Sequence, residues 1–91
     1  MLDDKKLKSH FKWMAENGWC WEYPETTIGG FWEIVGDDRD GLEKVLSGMD
    51  ADELWAICGL FDDISEKWPD RKMDKFLSGL SKKIKDAGYQ P

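Results

Sequence analysis

The second half of the chain carries a long helical pattern, and this pattern constrains the fold more than any other feature. From Arg39 onward, apolar residues recur at the three- and four-residue spacing of a helix face. The spacing predicts a first helix from Arg39 that Ser47-Gly48 breaks, and a second over about 51–67 that ends before Pro69. A last helix carries the apolar residues from Met73 to Ile84 and stops at Gly88. An aspartate version of the capping box, Asp50 to Glu53, starts the second of these helices. The predicted core residues of this half are Leu54, Ile57, Phe61, Phe76, Leu77 and Leu80.

The first half predicts one helix followed by two strands. Leu7, Phe11 and Met14 share a helix face, so helix one is expected at about 4–16. The segment 19–23 alternates Trp and Tyr with other residues, and FWEIV at 31–35 has strand composition. Two glycines in the loop between them favour an antiparallel hairpin packed on the helices. The expected fold class is therefore α+β, helix-dominated, in the order α-β-β-α-α-α, as a single domain over residues 1–91.

The net charge of −6 is unevenly distributed along the chain. Residues 1–18 carry +1 and residues 69–91 carry +3, whereas residues 19–68 hold thirteen acids against three bases, which gives −10. A strongly acidic centre would repel phosphates, so we expect no direct binding of nucleic acid. It favours a basic protein partner. The alternative is that these carboxylates only make the helix surfaces soluble.

No residue pattern indicates a catalytic, metal or cofactor site. The cluster Asp37-Asp38-Arg39-Asp40-Gly41 fails as a calcium loop, because Gly36 and Ser47 stand where acids are required. The single histidine, His10, has no residue to orient it toward Cys58 as a nucleophile pair. Glycine-rich phosphate loops and Cys/His metal spacings do not occur. We therefore expect a protein that is not an enzyme and uses no cofactor or metal.

The amino-terminal stretch MLDDKKLKSHFK has no apolar run suited to a signal peptide. No stretch reaches the roughly 18 apolar residues that a membrane span needs. The two cysteines do not make a disulfide framework. The expectation is a cytosolic protein without membrane contact, in its own cell or in an infected one.

The candidate binding residues are aromatic and acidic. Six tryptophans are many for this length, and Trp and Tyr anchors inside a charged rim are typical of tight protein interfaces. On the hairpin, Trp21 would lie among acids; the alternative is that its ring packs on the helices. Asp62, Asp63 and Glu66 would form an acidic face midway along the helix over 51–67; the alternative is that this face is only solvated. The predicted partner-binding residues are Trp21, Glu22, Glu33, Asp37, Asp38, Asp62, Asp63 and Glu66.

The stretch ELWAICGLFDDISE, residues 53–66, resembles the central helix of a family of polymorphic-toxin immunity proteins. The matching residues are Cys58, Leu60, Phe61, Asp62, Asp63 and Glu66, followed downstream by Met73, Phe76 and Leu77. Ser78 stands where the family has a histidine, and Lys72 where it has an acid. The likeness, within residues 53–80, implies a non-enzymatic protein that binds and neutralises one cognate toxin through its acidic positions.

The leading hypothesis is an acidic inhibitor that covers a basic site on an enzyme, in the manner of an immunity protein. One alternative is a phage-encoded inhibitor of a host defence nuclease that presents acids where phosphates would lie. Another is a self-associating module, a homodimer for example, that pairs through the hairpin edge. The immunity-protein hypothesis and the phage-inhibitor alternative both make the partner a basic protein, either a toxin or a nuclease.

Overall fold

The computed structural model describes residues 2–17 and 25–89, and every regular element in those ranges is helical. The α-helices are α1 (Asp4–Asn17), α2 (Gly30–Val35), α3 (Arg39–Ser47), α4 (Ala51–Ile57), α5 (Leu60–Lys67) and α6 (Arg71–Asp86). A π-helical turn, Glu25–Gly29, leads directly into α2. The α+β prediction is therefore wrong, because the described part of the chain contains no strand and its fold is all-α.

The segment FWEIV is helix α2 and not the second strand of a hairpin. Phe31 and Val35 are both buried, and their four-residue spacing puts them on one face of a helix. In a strand, the alternation of side chains would have placed Glu33 on that same buried face. In the helix Glu33 is exposed. Burying an unpaired carboxylate is costly, so burial of Phe31 and Val35 outweighs the strand propensity of the segment. The other predicted strand, residues 19–23, lies outside the described residues.

Helix α1 packs against α2, α3 and α4, and α6 packs against α4 and α5. The bounds of α1 match the predicted helix one, and Leu7, Phe11 and Met14 are buried as its apolar stripe indicates. Five of the six predicted core residues of the second half are buried; the exception is Phe76, which is only partly buried against the core. The remaining buried apolar side chains are Leu2, Phe31, Val35, Leu42, Val45, Leu46, Met49, Leu60, Ile64, Met73 and Ile84.

The helix ends follow the capping residues of the sequence. Asp38 Oδ1 accepts the Gly41 N–H at 3.0 Å at the start of α3, and Asp50 N–H donates to Glu53 Oε1 at 3.0 Å at the start of α4. Trp68, before Pro69, leaves the helical region at φ −126° and ψ 76°, which ends α5. Gly88 follows α6 with φ +96°, a backbone conformation that residues other than glycine rarely adopt.

The predicted helix over 51–67 is broken into α4 and α5 at Cys58-Gly59. Both residues take φ −61° and ψ −22°, and the Phe61 N–H donates to the Cys58 carbonyl at 3.1 Å, a three-residue spacing. Glycine has a low helix propensity, which makes Gly59 a site where a tightened turn costs little. The apolar face continues across this turn, because Ile57, Phe61 and Ile64 keep helical spacing and are all buried.

His10 of α1 fixes the π-helical turn that precedes α2. Its Nε2 lies 2.8 Å from the Thr27 carbonyl oxygen, and its ring stacks on Trp13 with centroids 5.8 Å apart. Gly30 lies directly against this ring, since a Cβ at Gly30 would be 2.9 Å from His10 Cε1. The close approach of helix α2 to α1 therefore depends on glycine at this position.

Phe61→Ala should lower the free energy of unfolding by about 3–5 kcal/mol, because the ring is buried in the core and its loss leaves a cavity. Chemical denaturation monitored by circular dichroism measures the change. A folded variant of nearly unchanged stability would show that the Phe61 ring contributes little to the core.

Gly30→Ala should destabilise the protein when His10 is present and stabilise it when His10 is replaced by alanine. With His10 present, the new methyl group collides with a ring that both Thr27 and Trp13 hold in place. Without the ring, the higher helix propensity of alanine is worth up to about 1 kcal/mol. Unfolding free energies of the wild type, both single variants and the double variant form the cycle. The same sign of effect in both backgrounds would contradict the assigned contact.

Candidate partner-binding surface

Two tryptophans from distant parts of the sequence meet on the surface of the fold. Trp32 of α2 and Trp68 after α5 have centroids 5.8 Å apart and ring planes at 62°, an edge-to-face arrangement. Trp32 also makes an edge contact with the fully buried Phe31, at 4.8 Å. Both tryptophans are partly buried, so each has one part in the core and another part at the surface.

Lys67 lies over both rings. Its Nζ is 5.1 Å from the centroid of Trp32 and 5.7 Å from that of Trp68, within cation–π range. The same Nζ is 2.9 Å from Asp37 Oδ1. Since the Asp37 side chain is 94% exposed, this ion pair is weak, and the aromatic rings contribute more to the position of Lys67. Asp37 is thereby brought to the two tryptophans, although it precedes α3 and Lys67 ends α5.

Arg39 and Asp70 form the other side of this cluster. Both Nη atoms of Arg39 donate to the Asp70 carboxylate, at 2.6 and 2.9 Å, and the guanidinium carbon lies 6.0 Å from the Trp68 centroid. Asp70 also accepts the Met73 N–H at 2.8 Å, as the N-cap of α6. The Arg39 guanidinium, and next the Met73 N–H, lower the pKa of Asp70 to about 2. This pair joins the start of α3 to the start of α6.

Carboxylates flank the exposed part of Trp32. Asp63 and Glu66 line, together with Trp32 and Lys67, a shallow depression of about 390 Å³. Asp62 is exposed on the same turn of α5 as Asp63. We call Asp62, Asp63 and Glu66 the acidic patch. Even with Lys67 included, its formal charge is negative.

The break at Cys58-Gly59 changes the position that two residues of the acidic patch have in their helix. Asp62 and Asp63 were predicted midway along a helix, where the helix dipole has no effect on them. They lie instead in the first turn of α5, close to its positive amino-terminal end. The predicted position was therefore wrong, because the helix over 51–67 is divided and both residues begin α5, with Asp62 exposed and Asp63 partly buried.

The other predicted binding residues have different positions. Glu33 is exposed on α2, next in sequence to Trp32. Asp38 is partly buried, and both of its carboxylate oxygens accept backbone hydrogen bonds. Oδ1 accepts from the Gly41 N–H, and Oδ2 accepts from the Leu2 N–H at 2.9 Å. The Leu2 bond first, and then the Gly41 bond, lower the pKa of Asp38. Asp38 is thus a helix cap that also ties down the amino terminus. Trp21 and Glu22 lie outside the described residues.

Sequence reasoning missed Trp68, Lys67, Arg39 and Asp70 as parts of this surface. Trp68 was recognised only as the end of a helix, and the two cations only as charges. Two signals were available: Lys67 directly precedes Trp68, and Asp70 follows Pro69 in a good N-cap position. Their meeting with Trp32 and Arg39 depends on tertiary packing, which residue spacing does not contain.

Cys58 and His10, the nucleophile and base considered in the sequence, have no contact with each other among the hydrogen bonds of the described residues. His10 binds the Thr27 carbonyl, whereas the partly buried Cys58 is a free thiol at the end of α4. Within residues 2–17 and 25–89, no three His, Cys, Asp or Glu side chains are grouped so that they could hold a metal ion. None of the described helices combines the length and apolar character needed to cross a membrane.

No family model matches the chain, and no curated protein and no solved structure matches it either.

Replacing Asp70 should make stability less dependent on pH in acid. An aspartate whose pKa is about 2 when folded and about 3.9 when unfolded stabilises the fold above pH 4 and loses that contribution as the pH falls toward 2. Asp70→Asn keeps an acceptor for Met73 but cannot titrate. The difference in Tm between wild type and variant should therefore shrink between about pH 4 and pH 2.

The matched control for Asp70 is Arg39→Gln, which removes the larger cause of the pKa shift and leaves the carboxylate in place. In this background the acid-dependent effect of Asp70→Asn should be smaller. A stability difference between Asp70→Asn and wild type that stays constant from pH 6 to about pH 2 would contradict the ion pair.

Proposed function

We propose that the protein is a non-enzymatic inhibitor that covers a basic site on an enzyme, in the manner of an immunity protein that neutralises a cognate bacterial toxin. The observation that carries the proposal is the acidic patch beside Trp32. Asp63 and Glu66 flank a tryptophan that is itself anchored on the core, and Asp62 is exposed in the same turn.

The chemistry of this surface suits a partner rich in lysine or arginine. Carboxylates without a described ion-pair partner are free to accept charge-assisted hydrogen bonds from such side chains. Long-range attraction by the segment with −10 charge would speed the encounter of the two proteins. Trp32 offers a large and rigid contact area, the type of residue that dominates interface energies. The mechanism of inhibition is steric and electrostatic occlusion of the basic site.

The resemblance of residues 53–66 to toxin-immunity proteins supports the same proposal, since its acidic positions are those of the acidic patch. Asp62, Asp63 and Glu66 are the residues on which both arguments agree. The Lys67 contacts add a physical reason for their arrangement: the cation holds Trp32 and Trp68 together and leaves Asp63 and Glu66 at the rim.

The test begins with affinity capture from the native host, followed by kinetics with the purified partner. The triple variant Asp62→Lys, Asp63→Lys and Glu66→Lys should slow association by about tenfold or more at low salt, because attraction turns into repulsion. The wild-type association rate should fall as ionic strength rises. Trp32→Phe keeps an aromatic ring in the core, and should mainly speed dissociation.

The matched control is a triple variant with the same change in net charge at exposed positions outside the surface: Glu16→Lys, Asp52→Lys and Asp86→Lys. It should retain most of the wild-type association rate. Equal effects of the two triple variants would mean that only net charge matters and that the acidic patch is not the binding site. A partner that is acidic, or that is nucleic acid, would disprove the inhibitor proposal.

A further inference from the structure

A second surface, on the α4–α6 side of the fold, has the opposite electrostatic character. It is a groove of about 380 Å³ whose lining residues are Trp55, Cys58, Ser81, Lys82, Ile84, Lys85 and Tyr89. This volume falls within the range of about 300–1,000 Å³ for small-molecule sites. None of the described residues that line it is acidic, although the chain as a whole carries −6.

The interior of the groove is apolar and already ordered. Trp55 of α4 and Tyr89 after α6 stack with centroids 5.6 Å apart and ring planes at 24°. Ile84 contributes a buried side chain, and Cys58 a partly buried thiol. The aromatic pair is held by both helices, so a ligand entering the groove meets a formed wall of rings and need not order it.

The edge of the groove carries two lysines with no described counter-ion. Lys82 and Lys85 are exposed, and neither is in an ion pair with a residue of the described ranges. Lys83, between them, points elsewhere and donates from Nζ to the Met49 carbonyl oxygen. Two positive side chains next to an apolar aromatic groove complement a molecule with an apolar body and one negative group.

We propose that this groove is a binding site for a small amphipathic organic anion, an aryl sulfonate or alkyl carboxylate in chemical class. The apolar body lies against Trp55 and Tyr89, and the anionic group pairs with Lys82 and Lys85. This assignment is independent of the proposed inhibitor function, because it uses other residues on other helices.

The test uses anilinonaphthalene sulfonate as the probe, with fluorescence titration of the full chain. One molecule per chain should bind in a saturable manner, and decanoate should displace it more strongly than decanol, which lacks the charge. Lys82→Glu with Lys85→Glu should weaken binding by about fivefold, more at low salt than at high salt. Trp55→Ala should weaken binding by about tenfold through lost contact area.

The matched control is Lys72→Glu with Lys75→Glu, the same charge change at exposed positions of α6 that do not line the groove. This variant should bind the probe as the wild type does. Circular dichroism confirms the fold of each variant, because a loosened core binds the same dye. If Trp55→Ala does not fold, the paired lysine variants still decide the question.

Three results would overturn the assignment. The first is unsaturable dye binding, and the second is equal loss in both lysine pairs. The third is a dimer that excludes the dye, with a mass in sedimentation twice that of one chain. In that case a second copy of the chain would occupy the groove.

Discussion

The burial of Phe31 is the interaction on which the rest of this structure depends. Its ring is fully buried, stacks on Phe11 of α1 with centroids 5.9 Å apart, and makes an edge contact with Trp32. A short helix such as α2 has little stability of its own, so this packing keeps it in place. Because α2 is fixed on α1, its next residue, Trp32, reaches the surface against Trp68. The candidate partner-binding surface is therefore a consequence of how one phenylalanine is buried.

The turn at Cys58-Gly59 lies between two surfaces of different chemistry. On one side, α5 begins anew and places Asp62 and Asp63 at its positive end. On the other side, Trp55 of α4 and Cys58, which directly follows this helix, line the apolar groove with Ile84 and Tyr89. The apolar face keeps its spacing through the turn, so α4 and α5 bury a common side while their exposed sides belong to different surfaces.

Much of the helical half was predictable, because long apolar stripes and capping residues are local signals. Glu53 and Pro69 both act as their positions indicated. The strand predicted at 31–35 is wrong because the aromatic and β-branched composition of this segment favours a strand, whereas the position of Glu33 favours a helix. Only the helix buries Phe31 and Val35 while Glu33 stays exposed. The meeting of Trp32 with Trp68 was beyond any local signal, since thirty-five residues of chain separate them.

The tryptophans of the two surfaces are in different states, and this bears on what each surface can bind. Lys67 already lies over Trp32 and Trp68, so the π faces on that side have a cation supplied by the chain itself. An incoming lysine or arginine therefore gains more from Asp63 and Glu66 than from the rings, unless it displaces Lys67. At the groove, the lysines stand at the edge and the stacked rings of Trp55 and Tyr89 offer apolar area. Under the two proposals, the first surface would select a partner by charge with an aromatic support, and the second would select a ligand by apolar fit with a charged edge.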